Sequence, residues 1–281
     1  MKTILLLLSL ATTLGATAQK VLNNATLKIT METVIESSGD EGGGPFGRGP
    51  METNYQITLK DSMQKIVTKS NFANSITIND NTTGITTNLN EGQGEKTGYT
   101  LTREDKLAQK QRQDSVRKAQ EQNKDDNEGA GGQRVVRLNM AAANIKNIDY
   151  TTEAKVVNKI DCKKAIVTTA NKDGVETKII VWYSDAHKLP KGVWQQRMGL
   201  MLDTFNGLPV QFETVRTMAI NGNEMTSTTT YNVTEIKTDA TIDDKEFALP
   251  KGYKMKTYAE YIKDNPNGGG FGGRGVIRIG G

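Results

Sequence analysis

Hydrophobic and polar residues alternate along several stretches of this chain, and the alternation predicts a protein built mainly from β-strands. Apolar and polar residues take turns over residues 25–36, and Tyr55, Ile57 and Leu59 repeat the pattern. A period of two residues places successive side chains on opposite faces of a half-buried strand. Short apolar runs over residues 52–89, separated by Asn, Asp and Gly, predict a meander of antiparallel strands.

Two hairpins are predicted in the second half of the chain. Residues 164–170 are rich in β-branched side chains, residues 171–174 read Asn-Lys-Asp-Gly, and residues 175–183 return. Asp-Gly is a strong hairpin signal because the central positions of the tight turn need positive φ. The returning strand is apolar on both faces from Ile179 to Tyr183, which predicts a central strand. The second hairpin is predicted over residues 209–236.

Together these signals predict a single mainly β domain over residues 19–264. We expect one strongly curved antiparallel sheet, an open half-barrel, with a few short covering helices. A flatter β-sandwich, split at a charged insertion, is the alternative. A short terminal helix is predicted over residues 257–263, and another from Trp194 to about Leu202. The latter lies near the concave side, because five large apolar side chains share one helical face: Trp194, Met198, Met201, Leu202 and Phe205.

Three low-complexity stretches interrupt the strands. Residues 37–50 and the tail at residues 265–281 are rich in glycine, so neither can form a packed core, and we expect both to be flexible. The third stretch is a charged insertion at residues 102–133. Its first part favours helix, with Thr102 and Asp105 as a capping box, but it has no apolar stripe. It is therefore either a solvated helix or disordered. It is either a passive spacer or an element that binds an envelope protein.

The first 18 residues have the features of a signal peptide. Lys2 is followed by a short leucine-rich stretch, and Ala16-Thr17-Ala18 fits the small-residue pattern of a cleavage site. The apolar run is shorter than the roughly 20 residues that span a bilayer. We therefore expect an exported protein beginning at Gln19. Its expected location is the periplasm or outer-membrane periphery of a Gram-negative bacterium, with the extracellular space as a further alternative.

The composition argues against nucleic-acid binding and against thiol chemistry. The formal charge of +4 is spread along the chain without a basic stripe. Cys162 is the single cysteine, which excludes an internal disulfide and indicates a small buried side chain.

No motif for catalysis, cofactor binding or metal binding is found. His187 is the single histidine, and it lies in a polar segment that reads as an exposed loop. The sequence has no nucleophile-elbow, zinc-protease or phosphate-loop pattern, and its acidic clusters lack the spacing of calcium loops. We therefore expect a protein that is not an enzyme and has no cofactor and no bound metal.

Four segments of the second half, at residues 157–165, 181–184, 205–213 and 247–253, occur in a recognisable order. This order resembles secreted proteins of Bacteroidota, in particular the GLPGLI family and related uncharacterised families. Gly207-Leu208-Pro209 is present, although Val210-Gln211 stands where the family name has Gly-Leu-Ile. The order of these segments along the chain is also distantly similar to that of LolA-type outer-membrane lipoprotein carriers. The resemblance implies a LolA-like fold, an open half-barrel whose helices cover an apolar concave face. The match covers about residues 155–253, through the segments 157–165, 181–184, 205–213 and 247–253.

Two classes of function remain after these exclusions. The protein either shelters an apolar ligand such as a lipid on a concave sheet face, or it is a structural or interaction component of the envelope without a small-molecule ligand. Ligand pockets are mostly apolar, and Met and aromatic side chains can repack around a flexible chain. The alternative for the candidate residues is that they only fill a core. The predicted ligand contacts are Trp182, Met198, Met201, Phe205 and Phe212.

Overall fold

The structure is a computed structural model that describes residues 19–37, 49–71, 73–92, 94–122, 144–170, 176–190, 205–220, 223–238 and 241–264. The strands of the first half are β1 Lys20–Val21, β2 Asn24–Ser37, β3 Met51–Lys60, β4 Met63–Ser70, β5 Asn74–Asp80, β6 Ile85–Gly92 and β7 Glu95–Leu101. Those of the second half are β8 Asn144–Val157, β9 Ile160–Ala170, β10 Glu176–Ser184, β11 His187–Lys188, β12 Leu208–Ile220, β13 Asn223–Thr238 and β14 Lys254–Thr257. The helices are α1 Arg103–Gln122, α2 Tyr258–Asp264 and a 3-10 helix, Asp244–Phe247.

Twelve strands form one open sheet in the order β14-β7-β6-β5-β4-β3-β2-β13-β12-β10-β9-β8. Every neighbouring pair is antiparallel except β14 and β7. The prediction of a mainly β fold on one open, mostly antiparallel sheet with a few helices is confirmed. The sandwich alternative is wrong, because β2 and β13 pair directly and join the strands before the charged insertion to those after it.

The predicted meander and both hairpins are present. Strands β3 to β7 follow one another in the sheet, β9 pairs with β10, and β12 pairs with β13. The predicted central strand β10 lies between β9 and β12. Only one of its faces is well buried, however, because Val181 is inaccessible whereas the neighbouring Ile180 is 50% exposed.

The strand register divides the sheet into two chemically different faces. Residues directly opposite each other in neighbouring strands point to the same side. Val181, Phe212, Tyr231 and Met31 follow one another across four strands and define the core face. The row beside it defines the opposite face, and it is polar after its first member: Trp182, Gln211, Asn232 and Thr30.

The hydrophobic core is concentrated on the core face between β3 and β9. Burying an aliphatic or aromatic side chain of this size contributes about 1.5–3 kcal/mol, so this layer is the main source of stability. The largest fully buried side chains of the described residues in this layer are Tyr231, Phe205, Leu22, Leu27, Ile29, Ile57, Leu208, Val167, Val181, Val210 and Val233.

The first described residues are tied to the middle of the chain. Strand β1 pairs in parallel with β11, and the Leu22 N–H donates to the Lys188 carbonyl at 2.8 Å. The Gln19 side-chain amide donates to the Asn206 carbonyl at 2.8 Å. Leu22 is 1% exposed, so this segment also adds a side chain to the core.

Helix α1 begins with the predicted capping box. The Thr102 N–H donates to Asp105 Oδ2 at 2.9 Å, and the Asp105 N–H donates to Thr102 Oγ1 at 3.1 Å. The structure therefore has the helical alternative over residues 103–122, and Leu107 is 62% exposed there. In the described ranges, neither α-helix has the length and apolar character that a membrane crossing requires.

The last described segment runs from a contact with β3 and β4 to the β14 edge of the sheet. Lys60 forms an ion pair with Asp244, the first residue of the 3-10 helix, and the Tyr253 hydroxyl donates to Glu91 Oε1 at 2.8 Å. Helix α2 then places Tyr261 on Tyr99, with ring centroids 4.0 Å apart. The predicted terminal helix over residues 257–263 is confirmed with a shift of one residue.

Several predictions concern residues outside the described ranges. They are the signal peptide at residues 1–18, the helix at Trp194–Leu202, the loop at residues 38–48, the later part of the charged insertion from residue 123, and the tail. They remain predictions.

Candidate functional site

The structure describes three of the five predicted ligand contacts. Met198 and Met201 lie outside the described ranges. Phe205 and Phe212 are 1% and 4% exposed and belong to the core cluster, whereas Trp182 is half-buried and packs at its margin.

Phe212 belongs to a buried aromatic pair on the core face. Its ring stacks on that of Tyr231, with centroids 4.6 Å apart and planes 21° from parallel. Complete burial raises the pKa of Tyr231. Phe205 lies in the bend just before β12, beside Leu208 and Val210, which are equally inaccessible. Phe205 and Phe212 thus extend one continuous apolar surface.

Trp182 faces away from that surface. It pairs with Gln211, whereas the adjacent Val181 pairs with Phe212. The Lys155 ammonium lies 4.2 Å from the centroid of the Trp182 ring and donates to Gln211 Oε1 at 2.7 Å. Because neighbouring side chains of a strand point to opposite faces, Trp182 and Phe212 do not line one pocket. The register therefore does not favour a ligand contact shared by both, and the predicted contact at Trp182 stays a prediction.

Three rows of the core face carry no charged side chain between β13 and β7. The apolar part of these rows lies mainly on β13, β2 and β3 and includes Ile66 of β4, and the other positions on β4 to β6 are uncharged polar residues. The first row is Val233, Ile29, Tyr55, Thr68, Ser75, Asn90 and Thr97. The second is Ile236, Leu27, Ile57, Ile66, Thr77, Asn88 and Tyr99, and the third is Thr238, Ala25, Leu59, Gln64, Asn79, Thr86 and Leu101.

The polar part of these rows, on β4 to β6, is a hydrogen-bonded patch that sequence analysis missed. Asn79 Nδ2 donates to Gln64 Oε1 at 3.0 Å, and Thr86 Oγ1 donates to Asn79 Oδ1 at 2.7 Å. Thr77 Oγ1 donates to Asn88 Oδ1 at 3.2 Å in the next row. The signal for it was the alternation of Thr and Asn in β5 and β6, which is also what an exposed polar face looks like. We call these residues the polar patch: Gln64, Ser75, Thr77, Asn79, Thr86 and Asn88.

Tyrosines border the polar patch on the β7 side. Tyr99 is the next residue of the Asn88 row, and it contacts both Tyr258 and Tyr261 of α2. Desolvation raises the pKa of both α2 tyrosines. The core face therefore runs from an apolar region through a neutral polar patch to an aromatic border.

The groups most capable of chemistry lie elsewhere. His187 is half-buried in β11, which corrects the expectation of an exposed loop, and its Nδ1 lies 3.1 Å from the Ser184 hydroxyl. Ser184 is only 1% exposed, so its hydroxyl has little access to a substrate. Burial raises the pKa of the Cys162 thiol to about 11, which agrees with the predicted buried role.

Metal binding finds no support in the described part of the chain. No three His, Cys, Asp or Glu side chains come together there in a group that could hold a metal ion.

Comparisons with known proteins give distant structural likenesses. No family model and no curated protein matches the chain. The structure of PNGF-II matches 85% of this chain at 12% identity and a TM-score of 0.33. This chain spans about a third of that protein, since the match covers 33% of its length.

Two further likenesses carry names related to the carriers that the sequence resembles. A putative outer membrane lipoprotein-sorting protein domain from Vibrio parahaemolyticus is 9% identical, with coverage of 80% of this chain and 89% of that one and a TM-score of 0.27. A LolA superfamily protein from Nitrosomonas europaea is also 9% identical, with coverage of 82% and 92% and a TM-score of 0.25. TM-scores this low do not establish a common function, and the GLPGLI resemblance stays a prediction. What the strand order itself shows is a mainly β protein built on one open sheet.

Proposed function

We propose that this chain is an exported, non-enzymatic protein of the cell envelope that binds an apolar ligand, such as a lipid, on the core face of its sheet. The observation that carries the proposal is the uncharged character of the three core-face rows from β13 to β7. Small-molecule sites are mostly apolar with a few placed polar groups, and this face has both. Its proposed location is the periplasm or the outer-membrane periphery.

Within this proposal, Phe205 and Phe212 contact the ligand together with Met198 and Met201. Phe205 and Phe212 lie on the continuous apolar surface described above, which supports their part in it. Trp182 is omitted because the register directs it to the opposite face.

The second candidate is a structural or interaction component of the envelope without a small-molecule ligand. The near-complete burial of Phe205 and Phe212 favours it, because side chains at 1% and 4% exposure already have neighbours. In this version the partner is another envelope protein, bound through the exposed charged helix α1.

Two experiments separate the candidates. Mass spectrometry of the purified native protein should find a stoichiometric co-purifying lipid if the first is right, and none if the second is right. The variant Met201→Asp should stay folded and lose the lipid if Met201 lines an accessible site. It should lose several kcal/mol of stability if Met201 only fills a core, because a buried unpaired charge is costly.

The matched control is Leu107→Asp, which introduces the same charge where the side chain is 62% exposed. It should change neither the stability nor the lipid content. A folded Met201→Asp protein with unchanged lipid content would remove Met201 from the proposed site.

A further inference from the structure

The β1–β11 ladder is a small attachment between the start of the described chain and its middle. It has two residues on each strand and forms a sheet of its own, separate from the twelve-stranded sheet. The Lys20 N–H donates to the Ala186 carbonyl at 2.9 Å, and the Leu22 N–H donates to the Lys188 carbonyl at 2.8 Å. Elements with so few contacts open at a lower free energy than the whole fold. Residues 19–22, which we call the N-terminal segment, can therefore detach while the large sheet stays folded.

His187 is the residue of this ladder whose charge changes near neutral pH. It is half-buried and lies in register with Lys20, so a protonated imidazole would face a like charge on the neighbouring strand. Its Nδ1 lies 3.1 Å from the hydroxyl of Ser184, a neutral group that is only 1% exposed. Burial, and after it the charge of Lys20, lower the pKa of His187. The ladder as it stands therefore disfavours the protonated form.

Among the described residues, no carboxylate is placed to offset a charge on His187. Asp185 lies two positions before it but forms an ion pair with Lys163 of β9. The next residue of β11, Lys188, is a further cation, and His187 takes part in no ion pair within the described ranges. In a chain processed at the proposed signal-peptide site, the α-ammonium of Gln19 adds a positive charge on the β1 side. Its ordinary pKa is about 7.7–8.0, so that charge is constant below pH 6.5.

We propose that protonation of His187 releases the N-terminal segment from β11, so that the β1–β11 ladder acts as a pH-sensitive switch. Release separates the imidazolium from the Lys20 ammonium and gives it access to water, so the detached form binds the proton more readily. The population of the detached form therefore rises as the pH falls below the ordinary histidine value of 6.5. Detachment also takes Leu22, which is 1% exposed, out of the hydrophobic core. The switch requires no ligand, and it thus goes beyond the proposed function.

Amide hydrogen exchange, followed by mass spectrometry, measures the release. The purified protein is labelled at pH 7.5, 6.5 and 5.5, and every rate is compared with that of an unstructured peptide at the same pH, because intrinsic exchange also depends on pH. The reporters are the Lys20 and Leu22 amides, and the amides of β2 and β13 report on the large sheet.

Three variants assign the effect to single charges. His187→Gln removes the titrating group, and Lys20→Gln removes the facing charge but keeps the backbone hydrogen bond to Ala186. The matched control is Lys188→Gln, which removes the same charge from the same ladder at a position whose side chain points away from that of His187.

In wild type, the protection of the Lys20 and Leu22 amides should fall by up to about tenfold per pH unit below pH 6.5, the slope for the uptake of one proton. The amides of β2 and β13 should keep their protection. His187→Gln should remove the pH dependence. Lys20→Gln should make the fall smaller without abolishing it, because the burial of His187 remains. Lys188→Gln should leave the fall as it is in wild type.

Constant protection in wild type down to pH 5.5 overturns the proposal, and so does an undiminished fall in His187→Gln. A parallel loss of protection in β2 and β13 also overturns it, because the proton would then unfold the large sheet and not release one segment. If His187→Gln detaches the segment at every pH, Lys20→Gln decides: a fall equal to that of wild type contradicts the switch, and a smaller one supports it.

Discussion

Gly207 occupies a place where a side chain cannot fit. An added Cβ would lie 2.3 Å from the Ser184 carbonyl oxygen and 2.7 Å from Cδ2 of Tyr183. The Gly-Leu-Pro sequence therefore has a structural reason, since it brings the start of β12 against the end of β10. Gly207→Ala should lower the free energy of unfolding by about 1–3 kcal/mol, measured by urea denaturation.

The matched control for that substitution is Gly92→Ala, where nothing lies within 4 Å of the added Cβ. Its effect should stay within about 0.5 kcal/mol. Equal losses at the two positions would contradict the steric explanation.

His187 should make stability depend on pH in a defined window. Burial, and after it the charge of Lys20, lower the pKa of His187 from its ordinary 6.5. The unfolded chain then binds a proton that the folded protein resists. Stability is therefore complete above pH 6.5 and is lost as the pH falls through the lowered pKa. His187→Gln should flatten the stability profile just below pH 6.5.

Asp80 and Glu91 affect the stability at a lower pH than His187 does, so they do not interfere with the His187→Gln test. Hydrogen bonds from Thr83 lower the pKa of Asp80 from 3.8, and hydrogen bonds from Lys96 and Tyr253 lower that of Glu91 from 4.5. Their contributions are present above these ordinary values and fall away below them. A His187→Gln protein that still loses stability just below pH 6.5 would show that another group is responsible.

At the scale of single elements, the capping box should stabilise α1 locally. Thr102→Ala removes the side chain that accepts from the Asp105 N–H, and such a change costs about 1 kcal/mol. Because the described hydrogen bonds from α1 to the sheet come from Arg103 and Lys106 near its start, the loss should be confined to the helix. Amide hydrogen exchange should accelerate over residues 103–110, while exchange in β2 stays unchanged.

Ser115→Ala serves as the control, since Ser115 lies inside the helix and its hydroxyl donates to the Gln111 carbonyl. It should not accelerate exchange in the first turn. Faster exchange throughout the sheet after Thr102→Ala would mean that α1 is part of the cooperative core.

The elements also show how far the sequence could predict the fold. Local signals were sufficient for the β9–β10 and β12–β13 hairpins, because the turn residues fix which strands pair. They were insufficient for the orientation of Trp182. That depends on a register of β12 that shifts between Trp182 and Tyr183. The polar patch escaped notice for a related reason. Thr77 and Asn88 have the composition of solvent-exposed residues, and their burial comes from the tertiary structure.

At the scale of the whole molecule, twelve strands belong to one sheet, so we expect them to unfold together in one cooperative transition. The β2–β13 ladder extends from Ala25 opposite Thr238 to Ser37 opposite Met225, so the two halves share their longest boundary. The slowest-exchanging amides of the strands on both sides of this ladder should therefore report the same free energy of opening. Native-state hydrogen exchange at β3 and β10 measures this. Separate values for β3 and β10 would indicate two independent units.

The β2–β13 ladder also decides when the chain can fold during its synthesis. Strand β2 is made first, and its partner β13 is made only after almost all the intervening chain. Until then β2 keeps a free edge of N–H and C=O groups and has no neighbour on its β13 side. A nascent chain of this connectivity stays incomplete until its last strands emerge. For a protein with the proposed signal peptide, this delay has a benefit, because a translocation channel accepts a chain that has not yet folded. The sheet would then be completed on the far side of the membrane.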